Sequence, residues 1–266
     1  MTRLAYLRLS FVLATSLSTA ACGGTSPIPG SGLAPSTSGT VRTAQTVRNL
    51  HKNDPCAAHG CIYVGNEGNS VTVYSKVANG NVAPVQAITG ADTDLDDVWA
   101  VAVDSARNIY AANYKGGNYH YGSVTVYAAG STGDASPIAT IYGTPGAETI
   151  SPSGVGIDAA GNIYASGQSS NSVSVYPPGS NGPTTPSQYI SGAATQLSAP
   201  DSLAVAAGGK IYITNNSSVT VYAAGTDGNV SPIQTISGSK TGIDNPNAVA
   251  VDSKEKFTSR APRMDL

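Results

Sequence analysis

Four carboxylates lie close together in the stretch DTDLDD, at Asp92, Asp94, Asp96 and Asp97. Oxygen-rich clusters of this density suit Ca²⁺, which takes about six to eight oxygen ligands. The stretch lacks the glycine and the distant glutamate of an EF-hand loop, so a solvated acidic loop that binds no cofactor is the alternative. The four aspartates are therefore candidate metal ligands, and Ca²⁺ is the one candidate cofactor.

An aromatic and polar stretch, YKGGNYHYG, follows at residues 114 to 122. Tyrosine and histidine side chains in a loop are typical of surfaces that meet another molecule. The alternative is a loose loop whose tyrosines pack on the neighbouring part of the fold. Together with the nearby tryptophan, the candidate ligand-binding residues are Trp99, Tyr114, Tyr119, His120 and Tyr121.

Motifs for covalent catalysis are missing from the sequence. It contains no GxSxG, HExxH or CxxC motif and no P-loop. Its three histidines are His51, His59, which stands between Cys56 and Cys61, and His120. We therefore assign no catalytic residue and favour a protein without enzymatic activity.

The elements that must position these loops form a repeat. The segment VTVY or VSVY begins at residues 71, 124, 173 and 219, so the spacing is 53, 49 and 46 residues. A glycine follows each tyrosine by six positions and a proline by ten, at Gly80, Gly133, Gly182 and Gly228 and at Pro84, Pro137, Pro186 and Pro232. Agreement at fixed offsets indicates one structural unit written four times.

Each unit predicts four short strands, which we name A to D. Strand A is VAVD, VGID or LAVA, strand B begins with Ile-Tyr, strand C is the VxVY segment, and strand D is a segment such as IATI. Asp104 and Asp158 follow strand A and are interpreted as turn residues that bond the backbone. In an antiparallel meander the D-to-A and B-to-C loops emerge at one end of the sheet. The acidic and aromatic loops should therefore share one face of the second unit.

This pattern resembles the NHL-repeat propellers and their looser bacterial relatives, in which a "P..VAVD..GNIYVAN....VTVY" unit is one blade. The resemblance covers roughly residues 62 to 252. It implies an all-β fold, a β-propeller of about four four-stranded antiparallel blades. The first unit lacks strand A, and the last strand, 249 to 252, is an A strand. The C-terminal strand can therefore complete the first unit and close the ring. The alternatives are an open arc and a fragment of a larger ring.

Some propeller relatives are metal-dependent enzymes, such as streptogramin lyases and gluconolactonase-like enzymes. Their catalytic His, Glu, Asp and Asn do not map by position onto this chain, whose glutamates stand only at Glu67, Glu148 and Glu255. A metal-dependent propeller enzyme is kept as the alternative function. The favoured function is a non-catalytic binding module.

The N-terminus predicts export. Residues 1–21 read as a signal peptide, and Cys22 followed by two glycines resembles the lipobox of bacterial lipoproteins, although Thr19 stands where that family prefers leucine. Cys22 is therefore the predicted lipidation site, and ordinary cleavage near Ala20 or Ala21 is the alternative. The predicted location is the bacterial cell envelope, lipid-anchored at the outer membrane or cell surface, or else secretion. Residues 22–55, rich in Gly, Ser and Pro, predict a flexible tether.

The remainder of the chain sets limits on partners. Residues 56–253 should form the propeller and 254–266 an irregular charged tail. Between Asp54 and Asp252 there are 5 basic residues against 14 acidic ones, which argues against nucleic acid and leaves the lipid anchor as the only membrane contact. A protein or a glycan of the envelope is the expected partner. Cys56 and Cys61 form an even pair in an oxidising compartment and predict a disulfide.

Overall fold

The computed structural model describes residue 56, residues 60–115, 122–143 and 151–252, and the backbone of 257–260. The predicted signal peptide, Cys22 and the tether lie outside the described residues. The described chain is built from short strands, with two 3-10 helices at Ala91–Thr93 and Ala193–Thr195. In chain order the strands are β1 (Cys61–Asn66), β2 (Ser70–Ser75), β3 (Gln86–Ile88), β4 (Val98–Val103), β5 (Ile109–Asn113), β6 (Ser123–Tyr127), β7 (Ala139–Tyr142), β8 (Pro152–Ile157), β9 (Ile163–Gly167), β10 (Ser172–Tyr176), β11 (Gly182–Pro183), β12 (Gln188–Ser191), β13 (Leu203–Val205), β14 (Ile211–Asn215), β15 (Ser218–Tyr222), β16 (Gln234–Ser237), β17 (Ala248–Val251) and β18 (Phe257–Arg260).

These strands form four antiparallel meanders that follow the sequence repeat. The first sheet is β1-β2-β3, the second β4 to β7, the third β8, β9, β10 and β12, and the fourth β13 to β16. β-Branched residues and tyrosine at alternate positions favour these strands, because such side chains pack well on a pleated surface. The all-β fold and the A-B-C-D order of each unit are therefore as the sequence predicts, whereas their arrangement in a ring stays a prediction.

The hydrophobic core lies between consecutive sheets. One cluster joins the first sheet to the second through Val71, Val73 and Ile109, and equivalent clusters join the second sheet to the third and the third to the fourth. Strand B shows how one strand serves two clusters: Ile109 faces the first sheet, while its neighbour Tyr110 faces the third. Successive side chains of a strand point to opposite faces, so each sheet needs a neighbour on both sides.

The turns between strands C and D link each sheet to the one before it. The glycine of this C–D turn forms a parallel β-bridge to the preceding strand D, Gly133 to Ile88 and Gly228 to Ile190. In the third unit the same pairing extends to the strand β11, in which Gly182 lies opposite Ile141. These glycines have the positive φ that a tight turn requires. Their second role, covering an otherwise open strand edge, was not foreseen.

Completion of the first sheet by residues 249 to 252 is one of the alternatives that the sequence leaves open. Among the described residues, β17 pairs with no strand of that sheet. It pairs instead with β18, so that Val251 lies opposite Phe257. Part of the predicted irregular tail is therefore a strand, and the two strands occupy the A and B positions of a fifth unit. β17 packs against β13 and β14, the first two strands of the fourth sheet.

The predicted disulfide is present. Cys56 and Cys61 are bonded, with their Cα atoms 5.1 Å apart. Both half-cystines are buried in the cluster between the first and second sheets, which places the start of β1 against the core. The bridge is thus a structural link at the first strand, as its spacing in the sequence indicates.

Candidate functional site

A β-bulge positions the tryptophan of the candidate site. In the pairing of β4 with β5 the register shifts between Val98 and Ala100, so Trp99 is the extra residue. A bulge leaves one residue out of the ladder and re-aims its side chain. The indole of Trp99 stacks on the ring of Tyr114, with ring centroids 4.1 Å apart and an angle of 7° between the planes. Both residues are half-buried.

The acidic and aromatic loops meet next to this pair. The backbone N–H of Tyr114 donates to the carbonyl oxygen of Asp97 at 3.0 Å. The ammonium of Lys115 lies 3.4 Å from a carboxylate oxygen of Asp97. The D-to-A and B-to-C loops of the second unit therefore lie on one face, as the meander topology predicts. An aromatic pair and an ion pair are adjacent there.

Three consecutive units hold this surface, which we call the Trp99 face and define by Asp97, Trp99, Tyr114 and Lys115. The side chain of Asn69, from the first unit, accepts a hydrogen bond from the Asp97 backbone N–H at 2.7 Å. The hydroxyl of Tyr114 lies 3.4 Å from that of Ser169 in the third unit. The remaining predicted residues, Tyr119, His120 and Tyr121, lie outside the described part of the chain.

The four aspartates of the acidic loop do not converge. Among the described residues, no three His, Cys, Asp or Glu side chains lie close enough to hold a metal ion. Hydrogen bonds hold the loop backbone instead. The backbone N–H groups of Asp92 and Asp96 donate to the side-chain oxygens of Asp134 and Asn113, at 2.7 and 3.2 Å. The geometry gives no support to a calcium site in this loop.

The acidic loop is itself part of the repeat, a fact that the sequence reasoning missed. Its residues GADTDL align with GAATQL at 192–197 and GSKTGI at 238–243. In each copy the threonine hydroxyl donates to the glycine carbonyl three residues back, at 2.7 to 2.8 Å. The next residue has a positive φ, namely Asp94, Gln196 and Gly242. The shared G-x-x-T-x-[L/I] spacing was the signal, and only the charge of DTDLDD is unusual.

Buried tyrosines of strand C fix the same loop to the core. The hydroxyl of Tyr127 donates to the backbone carbonyl of Thr93, and that of Tyr222 donates to the carbonyl of Thr195. Burial raises the pKa of both phenols above the ordinary value. These tyrosines therefore stay neutral donors at all physiological pH values and anchor the loop backbone rather than a ligand.

Asp104 and Asp158 occupy the opposite end of their sheets and act as turn residues. Asp158 accepts hydrogen bonds from the Ala160 and Asn162 backbone N–H groups, at 2.9 and 2.8 Å, from the Asn162 amide at 2.7 Å and from the Tyr164 hydroxyl at 3.1 Å. Burial opposes its ionisation, but the bonds from Asn162, Tyr164 and Ala160 together hold the pKa of Asp158 below its usual range. The structural interpretation of these aspartates is confirmed.

A shallow, open groove of about 440 Å³ lies on another part of the second unit, at the rim beside the first 3-10 helix. Its lining includes Asp92, Asp94, Thr140 and Asn181. The Asn181 side chain already accepts a hydrogen bond from the Thr140 backbone at 3.0 Å. Because the groove is open and its Asn181 side chain serves a contact between sheets, the Trp99 face is the better candidate.

Comparison with known proteins adds no relative: no protein family and no curated protein matches this chain. In the described ranges, no helix has both the length and the apolar character needed to cross a lipid bilayer. The fold alone defines the class of this chain: it is an all-β repeat protein with stacked antiparallel sheets.

Proposed function

We propose that this chain is a non-catalytic binding module, a β-propeller of the NHL-repeat type that is exported to the bacterial cell envelope. The observation that carries the proposal is the Trp99 face, where a stacked aromatic pair and an ion pair lie at a strand bulge and its adjoining loops, which contact three consecutive units. Rigid sheets that present loop side chains are the usual arrangement of a recognition surface. Among the described residues, no three His, Cys, Asp or Glu side chains lie close enough to hold a metal ion there.

The ligand that fits this face is a glycan or a protein of the envelope. Half-buried aromatic rings offer a flat apolar surface, which suits a sugar ring or an apolar side chain. Asp97 and Lys115 add one acceptor group and one donor group at the edge, which can pair with hydroxyls or with charged side chains. Because Asp97 is mostly covered and Lys115 is 66% exposed, the ammonium is the more adaptable of the two.

Intrinsic fluorescence tests glycan binding directly, because Trp99 is the only tryptophan in the chain. We expect soluble peptidoglycan fragments or envelope oligosaccharides to change its emission saturably. Tyr114→Ala should weaken that binding at least tenfold, whereas Tyr189→Ala, a half-buried tyrosine on β12, should leave it unchanged. A photo-reactive residue in place of Lys115, with Lys76 as the matched exposed control, tests for a protein partner. Failure of both experiments would contradict the proposal.

The export and the lipid anchor are supported by the leader and Cys22 and are tested separately. Intact-mass analysis of the membrane fraction should give a mature species that begins at Cys22 and carries acyl groups. A metal-dependent propeller enzyme is the alternative function. It has no specific observation in its favour among the described residues.

A further inference from the structure

The charge of the acidic loop is not explained by the structural role of that loop. Asp92 and Asp94 stand at positions where the fourth unit has Ala194 and Gln196. The neutral copy keeps the same threonine hydrogen bond and the same positive φ after the threonine. The loop conformation therefore requires neither carboxylate.

A third carboxylate beside the loop also replaces a neutral side chain. The backbone N–H of Asp92 donates to the Asp134 carboxylate at 2.7 Å, and that of Ala194 donates to the Asn229 side chain at 2.8 Å. Because an amide oxygen makes the same bond, the fold does not require the charge of Asp134. Three carboxylates of the second unit thus stand where the fourth unit has three neutral side chains.

Two of these carboxylates lie in the groove of about 440 Å³ beside the first 3-10 helix. We call it the acidic groove and define it by Asp92, Asp94, Ile138 and Thr140, which line it. Among the described residues, no basic side chain forms an ion pair with either aspartate or with Asp134. A cleft lined by charges of one sign concentrates ions of the opposite sign. The acidic groove therefore favours a cation.

A buried hydroxyl in the same groove is available to a ligand. Thr140 is only 8% exposed, and its hydroxyl has no hydrogen-bond partner in the part of the chain that the structure describes. Its counterpart Thr235 shows the direction of this hydroxyl, because it donates to the Gln196 side chain at 3.0 Å. Asp94 stands in place of that glutamine and is one methylene shorter. The Thr140 hydroxyl is thus directed toward the acidic loop without a bond to it.

The acidic groove also has an apolar wall. Pro137 and Ile138 line it, and Ile138 is 59% exposed. Exposure at this position is common to the repeat, since Val85 and Ile233 occupy it in the first and fourth units and are exposed as well. In the second unit, however, this apolar side chain lines the same groove as the two aspartates. A ligand with an apolar stem and a cationic end would contact both walls.

From these observations we infer that the acidic groove binds an organic cation, namely a primary ammonium or a guanidinium group on an apolar stem. The carboxylates of Asp92 and Asp94 accept hydrogen bonds from the cationic group, and the Thr140 hydroxyl oxygen accepts a further one. The stem packs on Ile138, as the stems of lysine and arginine do on apolar surfaces. A metal ion fits less well, because no three potential ligands converge among the described residues.

The same chemistry occurs in the side chains of a basic peptide and in free alkylamines. Amide-resolved NMR of the full chain at constant ionic strength tests both, because the backbone amides of Ile138 and Thr140 report on the groove. We expect protonated n-pentylamine and an amidated Gly-Lys-Gly peptide to shift these signals saturably, with half-saturation at about 1 mM. The ligand with the tighter binding identifies the source. 1-Pentanol, which has the stem without the charge, should bind at least tenfold more weakly.

Variants separate the site from general attraction to an acidic protein. Asp92→Ala combined with Asp94→Gln installs the residues of the fourth unit, which this loop conformation accommodates, and should weaken n-pentylamine binding at least tenfold. Thr140→Val removes a hydroxyl that makes no bond in the fold and should weaken binding about threefold. Asp244→Asn, at an exposed aspartate outside the groove, is the control and should leave binding unchanged.

Four outcomes would overturn the inference. They are the absence of saturable shifts up to about 50 mM n-pentylamine, equal affinity for 1-pentanol, tighter binding of Ca²⁺ at the same amides, and undiminished binding by the double variant. Loss of this second site leaves the Trp99 face, and hence the proposed function, unaffected, because binding at that face is measured by the fluorescence of Trp99.

Discussion

Removal of the Asp158 carboxylate should destabilise the third unit without abolishing its turn. The fourth unit shows why the turn survives, because alanine stands at the equivalent position, Ala206. There the backbone N–H of Ala206 still donates to the Lys210 carbonyl at 2.9 Å, as that of Asp158 does to Asn162 at 3.2 Å. Asp158→Ala therefore deletes the side-chain hydrogen bonds and retains the backbone ones.

The magnitude follows from four hydrogen bonds that end on one half-buried carboxylate. A bond to a charged group contributes about 1.5 to 3 kcal/mol when it is buried, but water replaces much of this at an accessible site. We expect Asp158→Ala to cost about 2 kcal/mol in the free energy of unfolding. For a chain of this size that corresponds to a fall in Tm of roughly 4 to 8 °C at pH 7.

The pH dependence distinguishes the charge from mere loss of packing. Because the pKa of Asp158 is held below its usual value in the folded chain, its stabilisation is present above the unfolded value of about 4 and is lost as the pH falls through the folded value. Calorimetry should therefore show a smaller difference between wild type and Asp158→Ala near pH 3 than at pH 7. Asp244→Ala, at an exposed carboxylate, is the control and should change the unfolding free energy by less than about 0.5 kcal/mol. Equal shifts for the two variants, or a difference that does not depend on pH, would refute the reasoning.

Two further predictions concern tyrosines. Tyr222→Phe removes the buried hydroxyl that donates to the Thr195 carbonyl. It should lower the free energy of unfolding, measured by chemical denaturation, by about 1 to 2 kcal/mol. A change near zero would contradict the anchoring role. Burial, together with the charge and hydrogen bond of the neighbouring aspartate, raises the pKa of Tyr110 and of Tyr164 to about 12. The stabilisation from these two phenols should therefore be intact below about pH 10 and be lost as the pH rises through 12, in step with phenolate absorbance. Titration of all tyrosines near pH 10 in the folded chain would show this to be wrong.

The repeat made most of the fold predictable. Alternating β-branched residues at a fixed period locate the strands, and glycines at fixed offsets locate the turns, because both signals are local. The pairing of β17 with β18 was not predictable in this way. Val249 and Val251 predict a strand A, but they do not show which strand it pairs with. Pairing with β1 or with β18 depends on the positions of distant parts of the chain in space.

The candidate site was predictable in position and only partly in content. Topology alone placed the acidic and aromatic loops on one face, and the contacts between Asp97, Tyr114 and Lys115 agree. The number of carboxylates in DTDLDD suggested a metal, but a metal site requires side chains that converge, and no three potential ligands do so among the described residues. Alignment of the loop with its own copies would have shown that its conformation is structural.

The bulge position explains why a single unit carries the aromatic pair. In the third unit the bulge residue is Ser153, which is buried and whose hydroxyl donates to the Pro200 carbonyl of the next unit at 2.7 Å. The same scaffold position thus serves packing between sheets when it holds a small polar residue. In the second unit it holds Trp99, which packs on Tyr114 at the loop face instead. A tryptophan in place of a residue that suffices for sheet packing adds surface rather than core, and this is the physical basis for proposing recognition at the second unit.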